Sequence, residues 1–303
     1  MPIRQITVIG TGHIGGSVCL ALKKHRFPGR IIGCDRAAAL EQAEKRGAID
    51  AGHTNPADAV RSSQVVVLAT PVSAIVDLIE RLGPALSPKT LLTDVGSTKA
   101  AVLAQAKIVF GKNIGARFLA GHPIAGKEHP GIEFADPDLF QDAIWFVTPV
   151  PGQKIYDGLS GEYLEWIERI GTRIASLDAG EHDRLCAWIS HLPQMISTAL
   201  ATTLIDEYGE DAPLLETGGR ALREMTRTAS SPYSVWRDIA LTNKKNIQAA
   251  MLKLEQRLAH IRENLDTREL MVEFERAHHL KKTASGTAAV AQNASTRKGR
   301  STS

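Results

Sequence analysis

The 303-residue chain holds three cysteines, Cys19, Cys34 and Cys186, none at metal-binding spacing. That scatter argues against a disulfide framework or a cysteine-based metal motif and fits a reduced, cytoplasmic protein with buried thiols. No metal is expected. No apolar run approaches the ~20 residues that span a bilayer. The chain also enters a strand almost at once, so neither a membrane segment nor a signal peptide is expected. Formal charge is only +3, and several of the positive residues gather in the tail. The folded part thus has no basic field to attract nucleic acid. Internal repeats are absent, and the length leaves no room for an added regulatory or second catalytic module. What remains is an ordinary globular composition, 43% hydrophobic and 23% charged. Because domains seldom exceed ~200 residues, two are expected.

The most informative stretch is RQITVIGTGHIGGS, Arg4 to Ser17. The apolar run Ile6–Ile9 drops into Gly10-Thr11-Gly12-His13-Ile14-Gly15, and an apolar helix opens with Ile14, Val18, Leu20 and Leu22. In a dinucleotide fold the first glycine makes a tight turn and the second admits the pyrophosphate. The third lets the helix pack closely on the strand, and the helix N-terminus offers unpaired N–H groups to the phosphates. A second strand, Arg30 to Cys34, ends in Asp35, an acid placed to bind both hydroxyls of an adenosine ribose. This context, more than the glycine pattern itself, points to nucleotide binding.

Strand and helix alternate through the first half. Val65–Ala69 reads as a buried parallel strand; it ends in Thr70-Pro71, and Ser73 is placed to cap a helix through Leu82. Thr90–Asp94 is the next strand, followed by Gly96-Ser97-Thr98-Lys99 and a helix to about Phe110. Arg117–Ala120 leads into Gly121-His122-Pro123, and Ile144–Thr148 and Thr172–Leu177 complete the set. The pattern predicts an α/β protein, a Rossmann-like doubly wound parallel sheet over residues 1–178. Ligands of such sheets bind beyond the carboxyl ends of the strands, where Thr70, Ser97 and His122 fall. From Asp178, which with Glu181 resembles a capping box, only helical periodicity remains to about Leu280. That predicts an all-helical domain, 179–280, suited to a lid over the cofactor and a dimer face. Residues 281–303 lack apolar periodicity and read as a disordered tail.

Three further segments carry the most specific signal: GHPIAGKE from Gly121, DAGEHDRL ahead of SHLPQ, and TRTASSPYSVWRDI from Thr226. On these the chain resembles the prephenate dehydrogenases, including the arogenate and broader cyclohexadienyl dehydrogenases of tyrosine biosynthesis, from Ile6 to about Leu280. The resemblance implies a Rossmann-like domain, a helical domain that forms a homodimer, and an active site in the cleft between them. It also implies NAD(P)-dependent oxidative decarboxylation of a cyclohexadienol to a phenol. Prephenate loses hydride from C4 while its hydroxyl loses a proton; carbon dioxide departs and the ring becomes aromatic.

The residue types suit that chemistry. A neutral imidazole, with an ordinary pKa of ~6.5, accepts the hydroxyl proton, and His122 matches the family's catalytic histidine. Ser97 matches the serine that bonds the hydroxyl or the nicotinamide end; alternatively, it caps the following helix. Arg227 matches the arginine that grips a substrate carboxylate, a task for which the guanidinium fork is shaped. His191 matches a second histidine near the substrate, with burial as a structural alternative, and Glu128 an acid at the pocket entrance. Cofactor contacts fall to Gly10, Gly12, His13 (through its backbone), Ile14, Gly15, Asp35, Arg36 and Thr70. Trp236 reads as packing or pocket wall, and His182 and Arg223 as neighbours without a catalytic role. Lys127, Arg220 and Ala221 depart from the residues frequent in the family, which leaves the side-chain pocket open.

Asp35 favours NAD, since a carboxylate repels a 2′-phosphate. Arg36 keeps NADP open, because a guanidinium there can pair with that phosphate. The substrate is prephenate or arogenate, with prephenate first. Two rivals stand beside this reading: a β-hydroxyacid or imine reductase, which lacks the GHPIAGKE block, and a non-catalytic NAD-binding sensor.

Overall fold

Strands built from continuous apolar runs must be covered on both faces, and this requirement sets the architecture. The computed structural model describes residues 2–126, 131–210, 213–280 and 282. The elements begin with β1 (Gln5–Ile9), α1 (His13–Lys24), β2 (Arg30–Cys34), α2 (Ala37–Lys45), β3 (Ala51–His53), α3 (Pro56–Ala59), β4 (Val65–Leu68) and α4 (Val72–Leu82). They continue with β5 (Leu91–Asp94), α5 (Ala100–Phe110), α6 (Ile114–Arg117), β6 (Phe118–Pro123), β7 (Ile144–Thr148), α7 (Gly158–Arg169) and β8 (Arg173–Ser176). Thereafter come α8 (Ala179–Cys186), α9 (Leu192–Tyr208), α10 (Leu214–Thr217), α11 (Gly219–Thr226), α12 (Tyr233–Thr242) and α13 (Lys244–Glu263). Residues 268–280 are again helical.

The eight strands form one sheet in the order β3-β2-β1-β4-β5-β6-β7-β8. Side chains alternate between its faces. Val8, Val65 and Val67 join a core with Leu22, Trp145 and Leu164, whereas Ile9, Val66 and Leu68 join another with Ile75, Ile79 and Phe118. The order reverses between β1 and β4, which places a crevice at their carboxyl ends. β1 through β6 run parallel.

β7 departs from the all-parallel expectation by pairing antiparallel with β6. The described part of the connection holds only a short 3₁₀ turn, Ile132–Phe134, and no crossover helix, which a parallel return requires. The consequence reaches the site. β6 runs on to Pro123, past the expected end at Ala120, so His122 lies inside a paired strand opposite Phe146.

Among the described residues only helices follow Ser176, yet the compact unit runs from Met1 to Ile247, past the boundary expected near residue 178. Polar bonds tie these helices to the sheet's carboxyl edge. The Asp183 carboxylate accepts from the Lys99 and Ala100 N–H groups at 2.7 and 3.0 Å and so caps α5. The Asp238 carboxylate accepts from the Ser73 N–H at 2.9 Å. Ser73 is therefore not the cap of α4: it lies within the helix, whose exposed N–H is met by an acid from 165 residues away. The Thr98 and Thr242 hydroxyls meet at 2.8 Å.

The unit from Gln248 holds the rest of α13 and the helical residues 268–280. Glu273 joins them by accepting from Arg257 at 2.6 Å and Arg276 at 3.2 Å. Except for Lys282, the expected tail at 281–303 lies outside the described residues. Among those described, no helix is long and apolar enough to cross a membrane.

Candidate active site

The three motif glycines do three different things. Gly10 has φ +93°, in the left-handed region, and donates its N–H to the Cys34 carbonyl at 2.8 Å. At Gly15 an added Cβ would collide with the Gly10 carbonyl, so α1 sits directly on the turn. A Cβ at Gly12 would meet nothing within 4 Å. That open cradle faces two grooves. One, of about 840 Å³, is lined by Gly10, Gly12, Asp35, Arg36, Thr70 and Arg81, among others. The Asp35 carboxylate there accepts from the Thr11 and Arg36 N–H groups at 2.8 and 2.7 Å. The other, of about 380 Å³, is lined by Gly12, His13, Ile14, Thr70, Gly96, Ser97 and Trp236, among others. The Thr70 hydroxyl, shared by both, is buried and has no hydrogen-bond partner among the described residues. An open glycine, an orphaned hydroxyl and a carboxylate after β2 along one trough fit a dinucleotide. Substituting Gly15→Ala should therefore push the turn out of place and weaken dinucleotide binding at least tenfold, read by fluorescence titration. Unchanged affinity would mean that the turn gives way elsewhere.

His122 is buried on β6, and its Nδ1 lies 2.9 Å from His182 Nε2. His182 Nδ1 in turn lies 2.9 Å from Asp183 Oδ1. A carboxylate accepts, so His182 carries its proton on Nδ1 and presents a lone pair at Nε2. His122 must then donate from Nδ1, and its own Nε2 carries a lone pair. Among the described residues that atom has no bonding partner. Burial, with the nearby His182, Lys99 and His191, holds the His122 pKa well below 6.5. The chain thus assembles a neutral imidazole with its acceptor nitrogen left available.

Ser97 does not cap α5, because Asp183 does. Its side chain lines the smaller cleft. His191 ends a π-helical turn, Ala187–His191, between α8 and α9. Pro193 explains the widened turn: it has no N–H for the Ile189 carbonyl, and its ring would clash there. Asn243 donates to the Asp183 carbonyl at 2.7 Å and meets His191 Nδ1 at 3.1 Å. His191 therefore accepts at Nδ1 and holds its proton at Nε2, which is buried with no partner among the described residues. Its ring stands edge-on to Trp236, at 5.9 Å, and Trp236 lines the cleft. Burial draws the His191 pKa down to about 4.

Arg227 is exposed on a 3₁₀ turn, Arg227–Ser230, and is not among the cleft-lining residues, although the adjoining Ser231 and Pro232 are. Gln194 holds that turn through the Thr228 carbonyl at 2.9 Å. Glu128 and Lys127 lie outside the described residues.

Beneath the cleft Lys99 and Asp94 form a fully buried ion pair. Lys99 Nζ also donates to the Gly121 carbonyl at 2.7 Å, and Asp94 accepts from the Gly96 N–H at 2.8 Å. This pair locks the loop bearing Ser97 to the strand bearing His122. Burial draws both groups toward their neutral forms, against their mutual attraction.

From the sequence His182 reads only as a neighbour without a catalytic role, and nothing there points to Asp183, Asp94 or Asn243. One signal was present: His182 and Cys186 stand four apart in α8, hence on one helix face. Their convergence on His122, 60 and 64 residues away in the chain, has no sequence signature.

Comparison with known proteins agrees with this architecture. The family model for the prephenate dehydrogenase nucleotide-binding domain matches residues 18–157, and that for its dimerization domain matches residues 178–279. Prephenate dehydrogenase of Lactococcus lactis subsp. cremoris (strain MG1363) is 31% identical over 84% of the chain and 72% of its own length. That of Bacillus subtilis (strain 168) is 34% identical over 80% of the chain and 65% of its own length. Among solved structures, prephenate dehydrogenase from A. aeolicus in complex with hydroxyphenyl propionate and NAD+ superposes with a TM-score of 0.80. It is 28% identical and covers 96% of the chain and 99% of its own. With both domain models matched and a relative 31% identical over 84% of the chain, the chain belongs to the prephenate dehydrogenase family.

Proposed function

We propose that the chain is a cytoplasmic enzyme that oxidises and decarboxylates prephenate to 4-hydroxyphenylpyruvate, with NAD+ as its cofactor. The observation that carries this reading is the His122–His182–Asp183 chain, which leaves one lone pair on the strand that leads into Ala125 and Gly126 of the cleft wall. The bound nicotinamide supplies the acceptor for hydride from the ring carbon that bears the hydroxyl. His122 Nε2 takes the hydroxyl proton as that carbon becomes a carbonyl-like centre, and loss of carbon dioxide leaves the aromatic phenol. His182 and Asp183 keep the acceptor nitrogen unprotonated and the ring in place. The imidazolium formed is stabilised through His182 by the Asp183 carboxylate. Ser97 bonds the same hydroxyl or the nicotinamide end. The buried His191 N–H and the Arg227 guanidinium each meet a substrate oxygen, and Asp35 takes the ribose hydroxyls. Glu128 is assigned to the pocket entrance on the motif alone. The helical segment, 179–280, acts as substrate wall and homodimer face, supported by the dimerization-domain match.

The test is initial-rate kinetics with prephenate and arogenate, each with NAD+ and NADP+. The expected result is highest kcat/KM for prephenate with NAD+, and no turnover with any pair would overturn the reading. For Arg227→Ala, losing a charged contact worth about 1.5–3 kcal/mol should raise the prephenate KM by about 10- to 100-fold. An unaltered KM would remove Arg227 from the carboxylate site.

A further inference from the structure

We propose that His122, His182 and Cys186 form an inhibitory site for a thiophilic divalent cation such as Zn2+ or Cd2+. Three ligand atoms, one from β6 and two from one face of α8, meet in one buried spot. His122 Nδ1 and His182 Nε2 lie 2.9 Å apart, and Cys186 Sγ lies 3.4 Å from His182 Nε2 and 3.8 Å from His122 Nδ1. A tetrahedral zinc with Zn–N of ~2.0–2.1 Å and Zn–S of ~2.3 Å needs N···N of ~3.3 Å and N···S of ~3.6 Å. Small side-chain shifts convert one set of edges into the other. The outer shell is already built, since His182 Nδ1 donates to the Asp183 carboxylate, which itself is anchored by the Lys99 and Ala100 N–H groups. A ligating histidine whose second nitrogen donates to a carboxylate is the usual device for orienting a metal-bound imidazole. Two imidazoles and a thiolate select soft or borderline cations over Mg2+ or Ca2+. Burial raises the pKa of the Cys186 thiol to about 12, so the cation itself must displace that proton.

The consequence for turnover follows from tautomers and rests on the proposed role of His122 as proton acceptor. In the metal-free protein Nδ1 bears the proton and Nε2 the lone pair. A cation bound at Nδ1 takes that nitrogen's lone pair. The Nδ1 proton leaves, one is taken up at Nε2, and the acceptor becomes an N–H donor. Cys186 releases its proton to solvent, so net release is one proton per ion. The ion thus switches off the base without touching the dinucleotide groove.

The experiment uses the full-length protein and Cd2+, whose bond to a thiolate gives an ultraviolet charge-transfer band. The expected result is a band saturating at one equivalent. Turnover of prephenate should fall at least ~10-fold, recover on adding EDTA and stay unaffected by Mg2+. Cys186→Ala and Cys186→Ser, with near-parental basal activity, should lose the band and raise the half-inhibitory concentration by at least ~10-fold, as loss of a metal contact does. Absence of the band, or equal sensitivity in both variants, overturns the site. A Cys186-dependent band without loss of turnover overturns the inhibition and with it the assignment of His122 as base, while leaving metal binding intact. A parent protein inactive toward prephenate before any metal is added fails the functional reading instead, and the band still decides the site.

Discussion

His122→Asn should lower kcat with prephenate by about 10²- to 10⁴-fold, the usual share of a general base, and leave the dissociation constant for NAD nearly unchanged. The asparagine amide can still donate to His182 Nε2, so the buried network keeps its bond. It offers no basic nitrogen where the imidazole had Nε2. The nucleotide groove is built by the glycine turn, Asp35 and Thr70 on other elements, so binding and chemistry separate in this variant. Turnover at the parental rate would mean that another group takes the proton.

The same geometry sets the pH dependence of the parent. As the proposed base, His122 works in its neutral form, and burial, with the nearby His182, Lys99 and His191, lowers its pKa well below 6.5. The acid limb of kcat/KM should therefore lie below pH 6.5. A limb centred above that value would require His122 to be held charged, which its surroundings oppose. Stability follows the same sign. His191 is depressed to about 4 when folded, against ~6.5 unfolded. Its contribution is fully present above pH 6.5 and is lost as pH falls toward 4, because the unfolded chain then binds the extra proton.

Lys99→Met should cost about 3–5 kcal/mol of folding stability, the penalty of leaving one partner of a buried pair uncompensated. Asp94 would keep the Gly96 and Gly121 N–H groups but lose the one cation that meets it among the described residues. Its protonation would relieve part of the strain, so the loss should be smaller at low pH than at neutrality. The urea midpoint measures this. The Gly96–Ser97 loop and β6 are both held by this pair, so activity should fall together with stability. A midpoint equal to that of the parent would show that Lys99 is dispensable and that the backbone alone holds the loop.

What could be read from the chain was whatever is local. The glycine turn, Asp35 after β2 and the β-branched strands all fall where the pattern put them, because each is dictated by neighbours within a few residues. The capping of α8 by Asp178, with bonds to the Gly180 and Glu181 N–H groups at 2.8 and 3.3 Å, is legible for the same reason. Ser73 and Ser97 show the limit. Both looked like helix caps, and both caps are supplied instead by acids from the helical half, Asp238 and Asp183. No local rule anticipates a donor group satisfied across such distances.

By itself, the sequence determined an α/β sheet with a nucleotide-binding turn, a helical second half and a set of chemistry-bearing side chains. Tertiary structure alone decided which nitrogen of His122 is free. That answer depends on β7 returning antiparallel, on α8 docking over β6 and on Asp183 facing His182. Each depends on packing between segments far apart in the chain, where the free energy lies in burial and in the pairing of distant polar groups, not in local backbone preference.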